Sequence, residues 1–83
     1  MSEKEIAEKI KAMLVENLRI PEDALENDSE LFGDDIGLDS IDSIEIIAGI
    51  DTLFGVQMTG VAKEHFQSID TLTAYVKEHM ENQ

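Results

Sequence analysis

The stretch of the chain with the most potential for chemistry is residues 34–47, DDIGLDSIDSIEII. It contains two serines, Ser40 and Ser43, together with five acidic residues and no basic residue. A serine hydroxyl at such a place can act as a nucleophile, cap a helix or carry an attached phosphate. Ser40 follows Gly37 closely and stands where a helical apolar period begins. The chemistry, whichever it is, is therefore predicted at the start of a helix.

Nucleophilic catalysis by a serine requires a base that is held in place by an orienting group. The two histidines of the chain, His65 and His79, come late in the sequence. His79 stands near a helix C-terminus, where a partly positive imidazole is favourable for structural reasons alone. The chain also lacks a glycine-rich phosphate-binding loop. We therefore predict that the protein is not an enzyme.

A calcium site is the second possibility for this acidic stretch. Asp34 to Glu45 spans twelve residues with an acid at each end, as in an EF-hand loop. The third, fifth and sixth positions are Ile36, Leu38 and Asp39, where that loop requires oxygen ligands and a glycine. The pattern fails, and no metal site is predicted.

Ser40 itself has two readings from its position. As an N-cap it would accept a hydrogen bond from a first-turn amide, and Ser40→Ala would then cost about 1 kcal/mol. As an attachment point it would place a phosphate where free amides and the helix dipole favour negative charge. Ser43 lies one turn inside the helix and lacks that advantage.

The charge of the chain narrows the class of partner. Nineteen acids against six Lys and Arg give a net charge of -13, and no Lys or Arg occurs between Ile20 and Ala62. Such a surface repels nucleic acid and anionic lipid, and it attracts basic patches on proteins. The N-terminus has no long apolar run, which predicts neither a signal peptide nor a membrane span. We expect a cytoplasmic protein without nucleic-acid partners.

The apolar periodicity predicts an all-α fold, a small four-helix bundle in a single domain over residues 1–83. Three longer helices are expected over Glu3 to Leu18, Ser40 to Leu53 or Phe54, and Asp70 or Thr71 to Met80. A short third helix is expected over Thr59 to Gln67. The long loop between the first two helices, residues 20–38, should be held to the core by five apolar side chains. These are Leu25, Leu31, Phe32, Ile36 and Leu38.

The second helix has more apolar surface than one core contact requires. Ile46, Ile50 and Phe54 share a face that should enter the core, with Ile47 and Leu53 beside it. A second stripe, Ile41, Ile44 and Ala48, lies about a third of a turn away. It can serve as a docking surface or pack under the long loop.

Three stretches, IPEDAL, DSELFGDDIGLDSIDSIEII and FQSIDTLTAYV, resemble the acyl carrier protein family and its peptidyl carrier relatives. The similarity covers about residues 4 to 78. Its centre is Gly37-Leu38-Asp39-Ser40-Ile41 followed by Glu45, which matches the family pattern of glycine, leucine, aspartate, serine and an aliphatic residue.

The resemblance implies that Ser40, next to Asp39, carries 4′-phosphopantetheine transferred from coenzyme A by a phosphopantetheinyl transferase. The thiol of that arm, which this cysteine-free chain cannot supply, would bear acyl groups as thioesters in fatty acid, polyketide or related biosynthesis. The chain would be a monomer that meets loading, condensing or modifying enzymes through their basic docking patches. The implied partner-binding residues are Asp39, Ile41, Asp42, Ile44, Glu45 and Ala48, and the implied acyl-chain cavity is lined by Ile47, Ile50, Leu53 and Phe54.

The chain departs from the fatty-acid members of the family around Phe54 and in the segment that follows it. It has Thr52 and Leu53 where acids are common, Thr59 in place of a proline, and Lys63 in the next helix. This thins the second half of the acidic docking surface and indicates a specialised carrier. The short tails indicate a free-standing protein.

Two alternatives use the same residues without the cofactor. An acidic helical adaptor would bind a basic protein, and Ser40 would then be a helix cap. A phosphoprotein would carry a plain phosphate on Ser40 and no thiol.

Overall fold

The computed structural model describes residues 2–34 and 36–81, apart from the side chains of Lys63 and Glu81. It contains three α-helices, α1 (Glu3–Leu18), α2 (Ser40–Phe54) and α3 (Ile69–Glu81). Two short 3-10 helices, Glu22–Ala24 and Lys63–Phe66, lie in the connections. Within the described residues there is no strand, so the predicted all-helical class is confirmed.

Helix α1 begins and ends where the sequence predicts. The Ser2 side chain caps it by accepting a hydrogen bond from the Glu5 amide at 3.2 Å. After Leu18 the chain turns through Arg19, which is left-handed at φ 56°. The following Pro21 prevents the helix from continuing, because a proline disfavours helical geometry in the residue before it.

Helix α2 also has the predicted bounds. It ends at Phe54, where Gly55 takes a left-handed conformation at φ 69° and donates its amide to the Asp51 carbonyl. Glycine suits this position because it has no Cβ to resist a positive φ. Ile46 and Ile50 are fully buried, which gives α2 its core face.

The expected short third helix over Thr59 to Gln67 is not an α-helix, so the count of four helices is not confirmed. Thr59 and Gly60 form a turn in which Gly60 has φ 81°, a value that no α-helical residue adopts. Only Lys63–Phe66 is helical, and it is a single turn of 3-10 helix. The glycine overrides the weak apolar period that predicted a helix here.

Helix α3 begins at Ile69, slightly before its predicted start. Ser68 and Thr71 close its first turn reciprocally. The Thr71 amide donates to Ser68 Oγ at 3.2 Å, and the Ser68 amide donates to Thr71 Oγ1 at 3.0 Å. Leu72 and Val76 of this helix are fully buried.

Helix α1 packs against both α2 and α3, and the Lys63–Phe66 turn packs on α3. The core is the apolar surface enclosed between these elements, and no helix in the described part of the chain is long and apolar enough to cross a membrane. The buried apolar residues are Ile6, Ala7, Ile10, Met13, Leu14, Ile20, Leu25, Leu31, Ile46, Ile50, Val56, Met58, Phe66, Ile69, Leu72 and Val76.

The long loop is tied to the start of α3. The Leu31 amide donates to the Gln67 carbonyl at 2.8 Å, and the Asp70 amide donates to the Asn27 carbonyl at 2.9 Å. Leu31 is fully buried, as expected, but Phe32 is 38% exposed and does not hold the loop to the core. Leu31 and Phe32 are the two central residues of a turn closed by the hydrogen bond from the Gly33 amide to the Glu30 carbonyl, and only Leu31 faces inward. The two hydrogen bonds with the start of α3 fix the position of the loop that leads to the start of α2.

Candidate functional site

The start of α2 is closed by two aspartates that cap it reciprocally. Asp39 is the N-cap, and its Oδ1 accepts hydrogen bonds from the Ile41 amide at 3.0 Å and the Asp42 amide at 3.1 Å. Asp42 Oδ2 in turn accepts from the Asp39 amide at 3.0 Å. This capping box satisfies amides that have no partner inside the helix, and its negative charge complements the helix dipole.

Ser40 is the first residue of the helix and is not its cap. Its side chain is exposed, and among the described residues its hydroxyl has no hydrogen-bond partner. The interpretation of Ser40 as an N-cap is therefore wrong, because Asp39 precedes it and takes the amides that Ser40 would have bound. The Ser40 hydroxyl is left free to react. The main chain beneath it is held by Ser43, whose Oγ donates to the Ser40 carbonyl at 2.6 Å.

The capping box also bears on what could be attached to Ser40. The amides of Ile41 and Asp42 are already bound to a carboxylate, so they are not free to receive a phosphate as the sequence suggested. A plain phosphate monoester would bring nearly two negative charges beside Asp39 and Asp42, where like charges repel. This disfavours simple phosphorylation. A phosphodiester carries one charge and extends into solvent from the exposed hydroxyl.

The second apolar stripe of α2 faces solvent. Ile41 is 69% exposed and Ile44 is 64% exposed, and Glu45 and Ala48 beside them are also exposed. The alternative that Ile41 and Ile44 pack under the long loop is therefore wrong. The structure brings together five predicted partner-binding residues, Ile41, Asp42, Ile44, Glu45 and Ala48, which we call the α2 face. The sixth, Asp39, adjoins this face but binds the helix amides.

A groove of about 600 Å³ opens beside Ser40, and we call it the Ser40 groove. Ser40, Ser43 and Ile47 form its α2 side, and most of its lining is apolar. The remaining lining residues come from the loop and from the segment before α3. They are Glu30, Phe32, Gly33, Leu38, Asp39, Met58, Gly60, Val61, Phe66 and Gln67. An apolar chain attached near Ser40 could lie in this space.

The four residues predicted to line an acyl-chain cavity do not surround one space. Ile47 lines the Ser40 groove, but Ile50 is fully buried in the core and Phe54 packs against the core. Leu53 is 42% exposed and lies on the α1 side of the helix. Leu53 points away from Ile47, because the six residue steps between them leave the two side chains about 120° apart around the helix axis.

The apolar residues that line the Ser40 groove from outside α2 were not identified from the sequence. Met58, Val61 and Phe66 line the groove, and the last two lie in the segment that was predicted to be a helix. Their apolar character was the available signal, but it gave no indication that they meet Ser40 across the fold.

The two histidines bind to an aromatic ring of α3. The His65 ring meets Tyr75 edge-on with centroids 5.1 Å apart, and the His79 ring stacks on Tyr75 at 3.8 Å. His79 Nδ1 lies 2.9 Å from the Tyr75 carbonyl oxygen. Among the side chains that the structure describes, no group of three His, Cys, Asp or Glu is placed to hold a metal ion.

Comparison with known proteins shows the family of the chain. The family described as phosphopantetheine attachment site matches residues 8–76. An acyl carrier protein of Zymomonas mobilis subsp. mobilis is 36% identical over 74 residues, which cover 88% of this chain and 92% of that protein. The chain belongs to the acyl carrier protein family. An acyl carrier protein of Akkermansia muciniphila is 29% identical over 77 residues, 93% of this chain and 95% of that protein.

Family membership confirms the resemblance seen in the sequence, and with it the carrier function and the cofactor, covalently attached 4′-phosphopantetheine. The residues at the start of α2 fit this group. The Ser40 hydroxyl is exposed and unpaired among the described side chains, its backbone is fixed by Asp39 and Ser43, and an apolar groove opens beside it.

The cap assignment predicts that, of two neighbouring substitutions, only Asp39→Ala lowers the stability of the protein. Asp39→Ala should lower the free energy of unfolding by about 1 kcal/mol, because two first-turn amides lose their acceptor. Ser40→Ala should leave it within about 0.5 kcal/mol of wild type, because no cap is lost and alanine is a good helix former. Urea denaturation of the three proteins measures both effects. A larger loss for Ser40→Ala than for Asp39→Ala would show that the cap is assigned to the wrong residue.

Proposed function

We propose that this acyl carrier protein holds its 4′-phosphopantetheine arm on Ser40 and presents acyl groups on it, as thioesters, to enzymes of fatty acid, polyketide or related biosynthesis. The observation that carries the proposal is the free, exposed Ser40 hydroxyl directly after the Asp39 cap. The protein itself catalyses nothing in this account. The family assignment gives no support to the alternative of an adaptor without a cofactor.

The residues at the site position Ser40 and do not activate it. The Ser40 hydroxyl oxygen would form the new phosphoester bond at the phosphorus of the pantetheine phosphate, and the phosphoanhydride bond of coenzyme A would break and release adenosine 3′,5′-bisphosphate. We propose that the transferase accepts the hydroxyl proton, since Asp39 Oδ1 already accepts two helix amides. When bound, phosphopantetheine supplies the thiol that this chain lacks. The hydrogen bonds of Asp39 and Ser43 hold the backbone at Ser40 without using its hydroxyl.

Loading in vitro tests the attachment site. We expect incubation with coenzyme A and a broad-specificity phosphopantetheinyl transferase to add the mass of one phosphopantetheine to the wild type. The same addition is expected for Ser43→Ala, the matched control one turn further along α2, and none for Ser40→Ala. Intact mass spectrometry reads all three. Loading of Ser40→Ala, or failure of the folded wild type beside a known carrier that is loaded, would contradict the proposal.

We further propose that the α2 face is the surface that phosphopantetheinyl transferase and acyl-handling enzymes contact through basic patches. Support comes from the exposure of Ile41 and Ile44 and from the acids beside them. A small apolar patch with acids around it favours fast encounter and quick release, which a shuttle between enzymes requires.

The docking proposal predicts that Glu45→Gln on α2 raises the KM of the transferase, whereas a Glu→Gln change on α3 does not. Glu45→Gln should raise the KM of the transferase for the carrier about threefold at low salt, because a charge that attracts basic patches is lost. The difference should shrink as salt screens the interaction. Glu78→Gln removes an exposed charge from α3 and should leave the KM unchanged. Equal effects of the two substitutions would mean that only net charge matters.

The Ser40 groove is proposed to shelter an acyl chain, in place of the cavity predicted around Ile50, Leu53 and Phe54. It adjoins Ser40 and is mostly apolar, with Ile47 and Val61 among its walls. Attaching an octanoyl group to the arm should shift the methyl resonances of Ile47 and Val61 in NMR spectra. The methyls of Ile10 and Leu14 in the α1 core serve as the control. Groove methyls that move no more than these would place the chain in solvent.

We also propose that the protein is a specialised carrier, and that it is a monomer in the cytoplasm. The specialised role is supported by the thinned acidic surface around Phe54, where Thr52 and the exposed Leu53 replace acids. Efficient use by general fatty acid synthase enzymes would contradict the specialised role. Sedimentation equilibrium and cell fractionation check the oligomeric state and the location.

A further inference from the structure

A second groove lies between α1 and α2, and we call it the α1–α2 groove. Its volume is about 380 Å³ and it is open to solvent. Its lining is mostly apolar, with charged side chains among it. The residues are Lys9, Ala12, Met13, Glu16 and Asn17 of α1, and Glu45, Ala48, Gly49, Thr52 and Leu53 of α2.

Small residues create this groove. A Cβ built on Gly49 would lie 2.7 Å from Met13 Sδ, so Met13 packs directly against the α2 backbone. Beside this contact, Ala12 and Ala48 are exposed and too small to fill the space between the helices. Leu53 leaves 42% of its surface in solvent at the same place. The two helices therefore meet at the buried Met13 and leave a hollow with apolar walls outside it.

The groove continues the α2 face. Glu45 and Ala48 belong to both surfaces. Of the four large apolar side chains that are exposed in the described structure, three lie on α2: Ile41, Ile44 and Leu53. Leu53 lies about 20 Å along the helix from Ser40, at 1.5 Å per residue. A partner that covers the α2 face can reach the groove without leaving the helix.

The charge of the groove indicates the kind of partner. Two of its three charged side chains, Glu16 and Glu45, are acidic, and α2 as a whole has no Lys or Arg. A complementary surface would place basic side chains at the rim and an apolar side chain in the hollow.

We propose that the α1–α2 groove is a second docking site, which receives a leucine-sized side chain from a basic amphipathic helix of a partner enzyme. The inference rests on the carrier function, because the partners are the same enzymes. It extends their contact from α2 onto Ala12, Met13 and Glu16 of α1. A side chain seated there fixes the rotation of the partner about α2, which the narrow apolar stripe of Ile41 and Ile44 alone does not.

A model peptide can test this chemistry without knowledge of the partner. The probe is an amphipathic helical peptide with leucine on one face and lysine and arginine on the other, titrated into ¹⁵N-labelled protein. We expect the amides of Ala12 and Leu53 to shift along with those of Ile41 and Ile44. Ala12→Gln should weaken binding about fivefold, because the longer side chain fills the hollow. Ala74→Gln, the same change at an exposed position of α3, should alter it less than about twofold.

Three results would overturn the proposal. Shifts confined to Ile41 and Ile44 would leave the groove without a role. Equal binding of the peptide by Ala12→Gln and Ala74→Gln would also show that the groove has no role. A control peptide with serine in place of leucine that binds equally well would reduce the contact to charge alone. None of these results affects loading of Ser40 by the transferase, so the two proposals fail separately.

Discussion

The reciprocal hydrogen bonds between Asp39 and Asp42 are the interaction on which the rest of this site depends. Unpaired amides at the start of a helix need acceptors, and a serine in the first turn would supply one if nothing else did. Because Asp39 binds the amides of both Ile41 and Asp42, the Ser40 hydroxyl is not needed to cap the helix. Its hydroxyl can then be modified without loosening the helix. A carrier needs this separation, since it has to keep one fold while its cargo changes.

Helix α2 presents apolar side chains to the core, to the groove beside Ser40 and to solvent, because these residues are spread around more than half of its circumference. Ile46 and Ile50 enter the core, Ile47 lines the groove beside Ser40, and Ile41 and Ile44 face solvent. A helix with a single apolar stripe would satisfy the core and leave nothing for partners. The long loop is held to the start of α3 by the hydrogen bonds from Leu31 to Gln67 and from Asp70 to Asn27.

The helices were predictable because strong local signals mark them. Pro21 and Gly55 stop α1 and α2, and a clear apolar period runs between the stops. The capping residue was not predictable, since Asp39 and Ser40 are both good N-caps and differ by one position. The groove was not predictable either, because it joins segments that are distant in sequence. The short third helix is not confirmed, because Gly60 takes a positive φ that apolar periodicity does not register.

The most direct measurement is mass spectrometry of the proteolytic fragments of the protein, isolated from growing cells of its native organism. The account predicts 4′-phosphopantetheine, free or acylated at its thiol, on the fragment that contains Ser40 and on no other fragment. A plain phosphate on Ser40, phosphopantetheine on Ser43, or a chain that is unmodified throughout growth would contradict it.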